Sequence, residues 1–176
     1  MFEPFCGLSG HPFELRPDPG FFFRSRGHQR AYRRLQYGLR HGGITVLTGE
    51  AGAGKTTTIE AFLRQLDDTA VVARKLDCAR LDGDELLAAV AQAFGNELAA
   101  GGRRRLLVLD EAQRLPIESW RDLHRLPLQA FLVGRPELRL RVEHSCHLGP
   151  LERDETCRYI EHRLRQVGWK GDAPFD

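Results

Sequence analysis

No apolar run in this chain approaches the ~20 residues that a membrane-spanning helix requires, and no secretory signal is legible in it. The chain is therefore expected to be soluble and cytoplasmic. Lysine is almost missing: of 26 basic residues only Lys55, Lys75 and Lys170 are lysines, the rest being arginine. The arginine bias fits a GC-rich coding sequence better than selection for phosphate contacts, and a net charge of +2 gives no argument for a polyanionic partner. Cysteine occurs four times, at 6, 78, 146 and 157, without any C-x-x-C spacing, which suits small core residues in a reducing compartment. No internal repeat, low-complexity stretch or readable Ser-His-Asp or Cys-His order is found. With 176 residues the chain is one domain's worth of polypeptide.

Against these absences one stretch stands out. Residues 49–56 read Gly49, Glu50, Ala51, Gly52, Ala53, Gly54, Lys55, Thr56, which fits G-x-x-x-x-G-K-[ST] at every fixed position, and Thr57 follows. Glycines let successive backbone N–H groups turn inward around a phosphate chain, and the helix that follows presents its positive end to the same charge. Lys55 is expected at the terminal phosphates and Thr56 on Mg²⁺. Context supports this over a structural glycine turn. Ile44 to Leu47 reads as a buried strand before the loop, and Ile59, Phe62, Leu63 and Leu66 share one face of a helix after it.

The rest of the chain alternates in the same manner. A proline- and phenylalanine-rich arm, 1–26, is expected to pack on the core or wall the adenine pocket, with Phe13, Leu15 and 21–23 as its apolar contacts. A helix over 27–41 puts Ala31, Leu35 and Leu39 inward and Arg30, Arg33, Arg34 and Arg40 outward, and Gly42-Gly43 ends it. A short strand is expected at 70–73 and a helix at 84–99 with Leu86, Leu87, Val90 and Phe94 on one face. An apolar strand follows at 106–109, then a helix near 117–124, a strand at 129–133, a helix opened by Pro136 and a short strand at 142–148. A last helix, 152–167, carries Thr156, Tyr159, Ile160, Leu164 and Val167 as its stripe. Such alternation means an open α/β fold, and an uninterrupted apolar strand means a parallel sheet covered on both faces.

Directly after the 106–109 strand come Asp110 and Glu111. At this position a first carboxylate can stand near the metal and a second can act as general base on the attacking water. The alternative, that both merely cap a helix, is electrostatically favourable too. The matched loop some 55 residues earlier tips the balance to the catalytic assignment.

Pro17-Asp18-Pro19, His28, residues 48–57, Asp110-Glu111-Ala112-Gln113, residues 133–138 and residues 147–151 together resemble the AAA+ ATPases of the general secretion pathway A type, also called ExeA-like, over nearly the whole chain. Transposition ATPases of the TniB and IstB kind are similar at greater distance. The resemblance implies a three-layer P-loop NTPase core of about five parallel strands over 27–151. It also implies ATP and Mg²⁺ as ligands, hydrolysis of ATP, and a homo-oligomer sharing its nucleotide sites. A secretion-machinery partner, and peripheral association with the inner membrane through it, are implied as well. A nucleotide-gated binding module without hydrolysis, or an ATP-dependent DNA-binding regulator, are the alternatives. Three departures from the family stand out. Arg135 replaces a family glutamine at the sensor position, where it either grips phosphate or pairs with a carboxylate. The stretches around 133–138 are shortened, and Arg141 aligns with a family arginine finger. Residues 152–176 correspond to the start of a truncated helical lid.

Two other clusters receive plainer readings. His144 and Cys146 share a strand face opposite His147, which favours packing over a metal site. Arg103 to Arg105 read as a solvated turn. Trp120 and Trp169 are expected to be partly in the core.

Overall fold

The computed structural model describes residues 7–13, 22–81, 85–98, 102–116, 118–119, 123, 125–135, 142 and 144–171. The elements in chain order are α1 (Arg26–His41), β1 (Ile44–Gly49), α2 (Lys55–Leu63), β2 (Val71–Asp77), α3 (Leu86–Phe94), β3 (Arg104–Asp110), β4 (Gln129–Gly134), β5 (His144–Leu148) and α4 (Arg153–Gln166). The five strands form one sheet in the order β2-β3-β4-β1-β5, and every pairing is parallel.

Side-chain alternation along the strands builds the three layers. Leu106 and Val108 of β3, Leu47 of β1 and Phe131 and Val133 of β4 face Ala31 and Leu35 of α1 and Ile59 and Phe62 of α2. Leu107 and Leu109, Ile44 and Val46, and Ala130 and Leu132 face Leu86, Val90 and Phe94 of α3 on the other side. The four residues 106–109 have no exposed surface at all. Each such side chain contributes about 1.5–3 kcal/mol relative to exposure, so the sheet centre is the rigid base from which the site projects.

Local chemistry sets the helix ends. The Ser25 hydroxyl caps α1 by accepting the His28 N–H at 3.2 Å, and Gly42, at φ 85°, closes it by donating to the Gly38 carbonyl at 2.9 Å. Glu155 of α4 accepts the Arg26 N–H at 2.7 Å, placing a carboxylate at the positive end of α1.

Several expectations are corrected. β2 runs to Asp77 rather than ending at Ala73. It is an edge strand whose second half is partly solvated, so Arg74 and Lys75 interrupt the apolar signal without ending the ladder. Leu87 is 43% exposed, because the buried stripe of α3 is Leu86, Val90 and Phe94, and residue 87 lies about 100° around the helix from Leu86. Phe13 is exposed, whereas Phe22 sits edge-on to His28 and Phe23 against Tyr159 and His162. Thr156 is exposed too. Alongside Val167, α4 buries Glu155 and Arg163, whose guanidinium donates to the Pro12 carbonyl. Leu15, Pro17, Phe21, Cys6, Trp120 and the helix expected from Pro136 lie outside the described residues.

Candidate nucleotide-binding site

The sheet ends its strands β1, β3 and β4 toward one edge, and the loop 50–54 crosses that edge between β1 and α2. Gly52 and Gly54 have φ of 80° and 86°. At Gly54 a second constraint applies: a Cβ there would stand 2.6 Å from the His28 Nε2. The loop is pinned from below by the Thr58 hydroxyl, which donates to the Gly54 carbonyl at 2.8 Å, and across its turn by Ala53 N–H to Glu50 carbonyl at 3.2 Å. Gly49 ends β1, and Glu50, Ala51, Gly52, Ala53 and Gly54 curve from it into α2. Lys55, Thr56 and Thr57 form the first turn of α2, where a helix leaves its backbone N–H groups without intrahelical partners.

Lys55 is buried, and its ammonium donates to the Gly49 and Glu50 carbonyls at 2.8 and 2.9 Å. A cation is therefore held inside the loop curve itself. Across from it, the Thr56 hydroxyl donates to Asp110 Oδ2 at 3.2 Å. That pair brings a hydroxyl and a carboxylate oxygen together, the hard-oxygen chemistry that suits Mg²⁺. The donor set, the glycine cradle and the oxygen pair all fit a magnesium nucleotide.

Asp110 ends β3, and its Oδ1 accepts the Glu111 N–H at 3.1 Å. Glu111 then takes φ 54°, the one positive φ outside glycine among the described residues. Its side chain does not cap the short helix Ala112–Arg114. It instead accepts from the Gln113 amide at 2.6 Å, while Gln113 Oε1 accepts the Arg135 N–H at 3.2 Å. Gln113 therefore ties Glu111 to the end of β4, a positioning role that its place in the motif did not disclose. Arg135 itself is exposed, and its backbone makes the contact. Arg141 lies outside the described residues.

Two further features border the site. His28 lies between Phe22 and the loop, with its Nδ1 2.7 Å from the Ser25 hydroxyl, and burial lowers its pKa below the ordinary histidine value. Cys78, after β2, is buried, and that burial, with the charges of Asp77, Asp110 and Glu111, pushes its thiol up to about 12. It is an inert core thiol rather than a nucleophile. Sequence reasoning also missed Lys75, whose ammonium stands 3.0 Å from Asp110 Oδ2 and 3.6 Å from Glu60 Oε1.

The secondary clusters resolve as packing. His144 sits edge-on to Tyr37, Cys146 packs with the α1–α2 side of the core, and His147 Nδ1 is 3.1 Å from the Thr48 hydroxyl. Arg103 pairs with Glu97, Arg104 donates to the Leu39 carbonyl and Arg105 to the Pro127 carbonyl, so the arginine triplet is fastened down rather than free.

Known proteins share parts of this sequence and its overall fold. Residues 38–105 match the family model described as an AAA domain. The chain is 32% identical over 210 aligned residues to general secretion pathway protein A of Aeromonas hydrophila, a match that takes in 96% of this chain and 38% of that protein. The chain thus spans well under half of that relative's length, and the aligned region is longer than the chain's own 176 residues because the relative carries extra residues within it. Among solved structures, a Walker-type ATPase of Pyrococcus abyssi superimposes with a TM-score of 0.61 at 16% identity, over 92% of this chain and 64% of that one. A DNA replication initiation factor superimposes with a TM-score of 0.59 at 16% identity, over 88% and 56%. Residues 38–105 thus carry the match to an AAA domain, and the chain is related to general secretion pathway protein A.

Proposed function

We propose that this chain binds ATP with Mg²⁺ and hydrolyses it to ADP and phosphate. The observation that carries the proposal is the convergence of Lys55, Thr56, Asp110 and Glu111 at one edge of the sheet, with Glu111 fixed by Gln113. The loop N–H groups and Lys55 bind and neutralise the phosphates, and Thr56 and Asp110 would hold the metal. Bound Mg²⁺ supplies charge neutralisation across the terminal phosphates. Glu111 takes the proton of the attacking water. Little covalent chemistry is asked of the protein, so positioning and electrostatics account for most of the rate.

The same reading extends to assembly. Residues 27–151 act as the ATPase core, the arm 1–26 borders its nucleotide site, and 152–176 begin a lid. Copies of the chain share their sites in a homo-oligomer, Arg141 reaches the neighbour's phosphates, and Arg135 serves as sensor. An arginine supplied in trans is worth ~10³–10⁵ in rate. Turnover per chain should therefore rise with protein concentration and vanish in Glu111→Gln. Rates equal to the enzyme-free blank at every concentration, for both proteins, contradict hydrolysis and leave a nucleotide-gated binding module. The relationship to general secretion pathway protein A supports coupling to secretion machinery, with the chain cytoplasmic and reaching the inner membrane through partners. No described helix is long and apolar enough to cross a membrane.

A second reading has its own observation. Arg26, Arg30, Arg33 and Arg34 line a cleft on α1 with Gln29 and Tyr37, a helix that carries five arginines and no carboxylate in a chain of net charge +2. This face suits a phosphodiester backbone, as in an ATP-dependent DNA-binding regulator. DNA affinity that falls steeply with salt supports it, and no binding at low salt removes it.

A further inference from the structure

Lys75 has no place in the phosphate-loop pattern, yet it is one of only three lysines in a chain that otherwise uses arginine. Two of those three converge on one site, Lys55 from the start of α2 and Lys75 from β2. Lys75 lies opposite Val108 in the β2–β3 register, two residues before Asp110, and so shares Asp110's face of the sheet. Its ammonium is 3.0 Å from Asp110 Oδ2, the same oxygen that accepts the Thr56 hydroxyl, and 3.6 Å from Glu60 Oε1 on α2. The Asp110 side chain is 14% exposed and that of Lys75 31%, so the contact is only partly screened by solvent. Resting on the nucleotide-site assignment above, we propose that Lys75 is a second cation of that site, which holds Asp110 in place and competes with Mg²⁺ for the Asp110–Thr56 oxygen pair.

The residue type fits the role. An ammonium on a flexible four-carbon stem is a compact charge that can leave a carboxylate, whereas a guanidinium holds it through a planar fork. Glu60 provides the second anchor to which the ammonium can retreat as the metal arrives. Lys75 attracts phosphate and opposes a divalent cation, so it lessens the dependence of nucleotide binding on Mg²⁺.

The test is titration of the full chain with a fluorescent ATP analogue, in EDTA and in a series of Mg²⁺ concentrations, reading affinity rather than turnover. In Lys75→Met the EDTA affinity falls and the Mg²⁺ midpoint drops, so the gain in affinity on adding Mg²⁺ grows about five- to tenfold, the lower range of ordinary site coupling. In Glu60→Gln, which leaves the ammonium to Asp110 alone, that gain shrinks. A merely structural lysine would shift both affinities in parallel. Wild-type binding with the Mg²⁺ gain unchanged in both variants overturns the role of Lys75 alone. Absence of analogue binding by the wild type in either condition overturns the nucleotide site and Lys75 with it. If Lys75→Met does not fold, the direction of the Glu60→Gln change decides.

Discussion

Glu111 occupies a left-handed backbone conformation that a non-glycine side chain adopts at a cost of about 1–3 kcal/mol. The cost is borne where its carboxylate meets Gln113 and where the N–H of the same residue binds Asp110. Replacing Glu111 by Gly should therefore raise unfolding stability by about 1 kcal/mol while abolishing turnover. A Glu111→Gly protein that is less stable than wild type by chemical denaturation contradicts the strain assignment. The loop, Asp110 and Glu111 were legible because their chemistry demands fixed residue types at fixed spacings. Lys75 and Gln113 were not, since their partners are reached by strand pairing and a turn. Only the rarity of lysine in the chain points toward Lys75.

Among the elements, α1 lies unusually near the sheet. A Cβ on Gly38 would stand 2.0 Å from the Thr45 hydroxyl oxygen, and Thr45 is buried on β1, the strand that delivers the loop. Gly38→Ala should lower the melting temperature although alanine is the better helix former. Overpacking costs about 1–3 kcal/mol, and so large an overlap puts the cost above the roughly 1 kcal/mol gained in propensity. An unchanged or higher melting temperature contradicts this close packing. The apolar centres of β1, β3 and β4 and the inner stripes of α1 and α2 could be read from periodicity because burial is what writes that pattern. β2 was cut short because an edge strand is only half buried. The stripe of α4 was read with an exposed Thr156 and without Glu155 and Arg163, which are buried for their backbone partners, the Arg26 N–H and the Pro12 carbonyl, and no hydropathy pattern announces that.

For the whole molecule, the arm, α1 and α4 meet around two histidines, and burial lowers the pKa of both His28 and His162, with the Arg163 charge adding to the effect at His162. A buried neutral base binds its proton more weakly folded than unfolded. As pH falls through the ordinary value of about 6.5, the unfolded chain takes up protons first, and stability drops until the lower folded pKa values are passed. Melting curves between pH 8 and 5 should show that loss, and it should be smaller in His28→Gln. Stability that rises on acidification contradicts it. The layer architecture and parallel sheet were legible at this scale from alternation alone, whereas the meeting of the two chain ends at α4 was not, being a matter of single polar contacts.

The central claim is that residues 49–56 hold a nucleotide, and equilibrium binding of a fluorescent ATP analogue in Mg²⁺ to wild type and Lys55→Ala tests it most directly. Saturable binding by the wild type, lost in a Lys55→Ala protein that still unfolds cooperatively, is the predicted result. No binding by the wild type, or full affinity in Lys55→Ala, would contradict it.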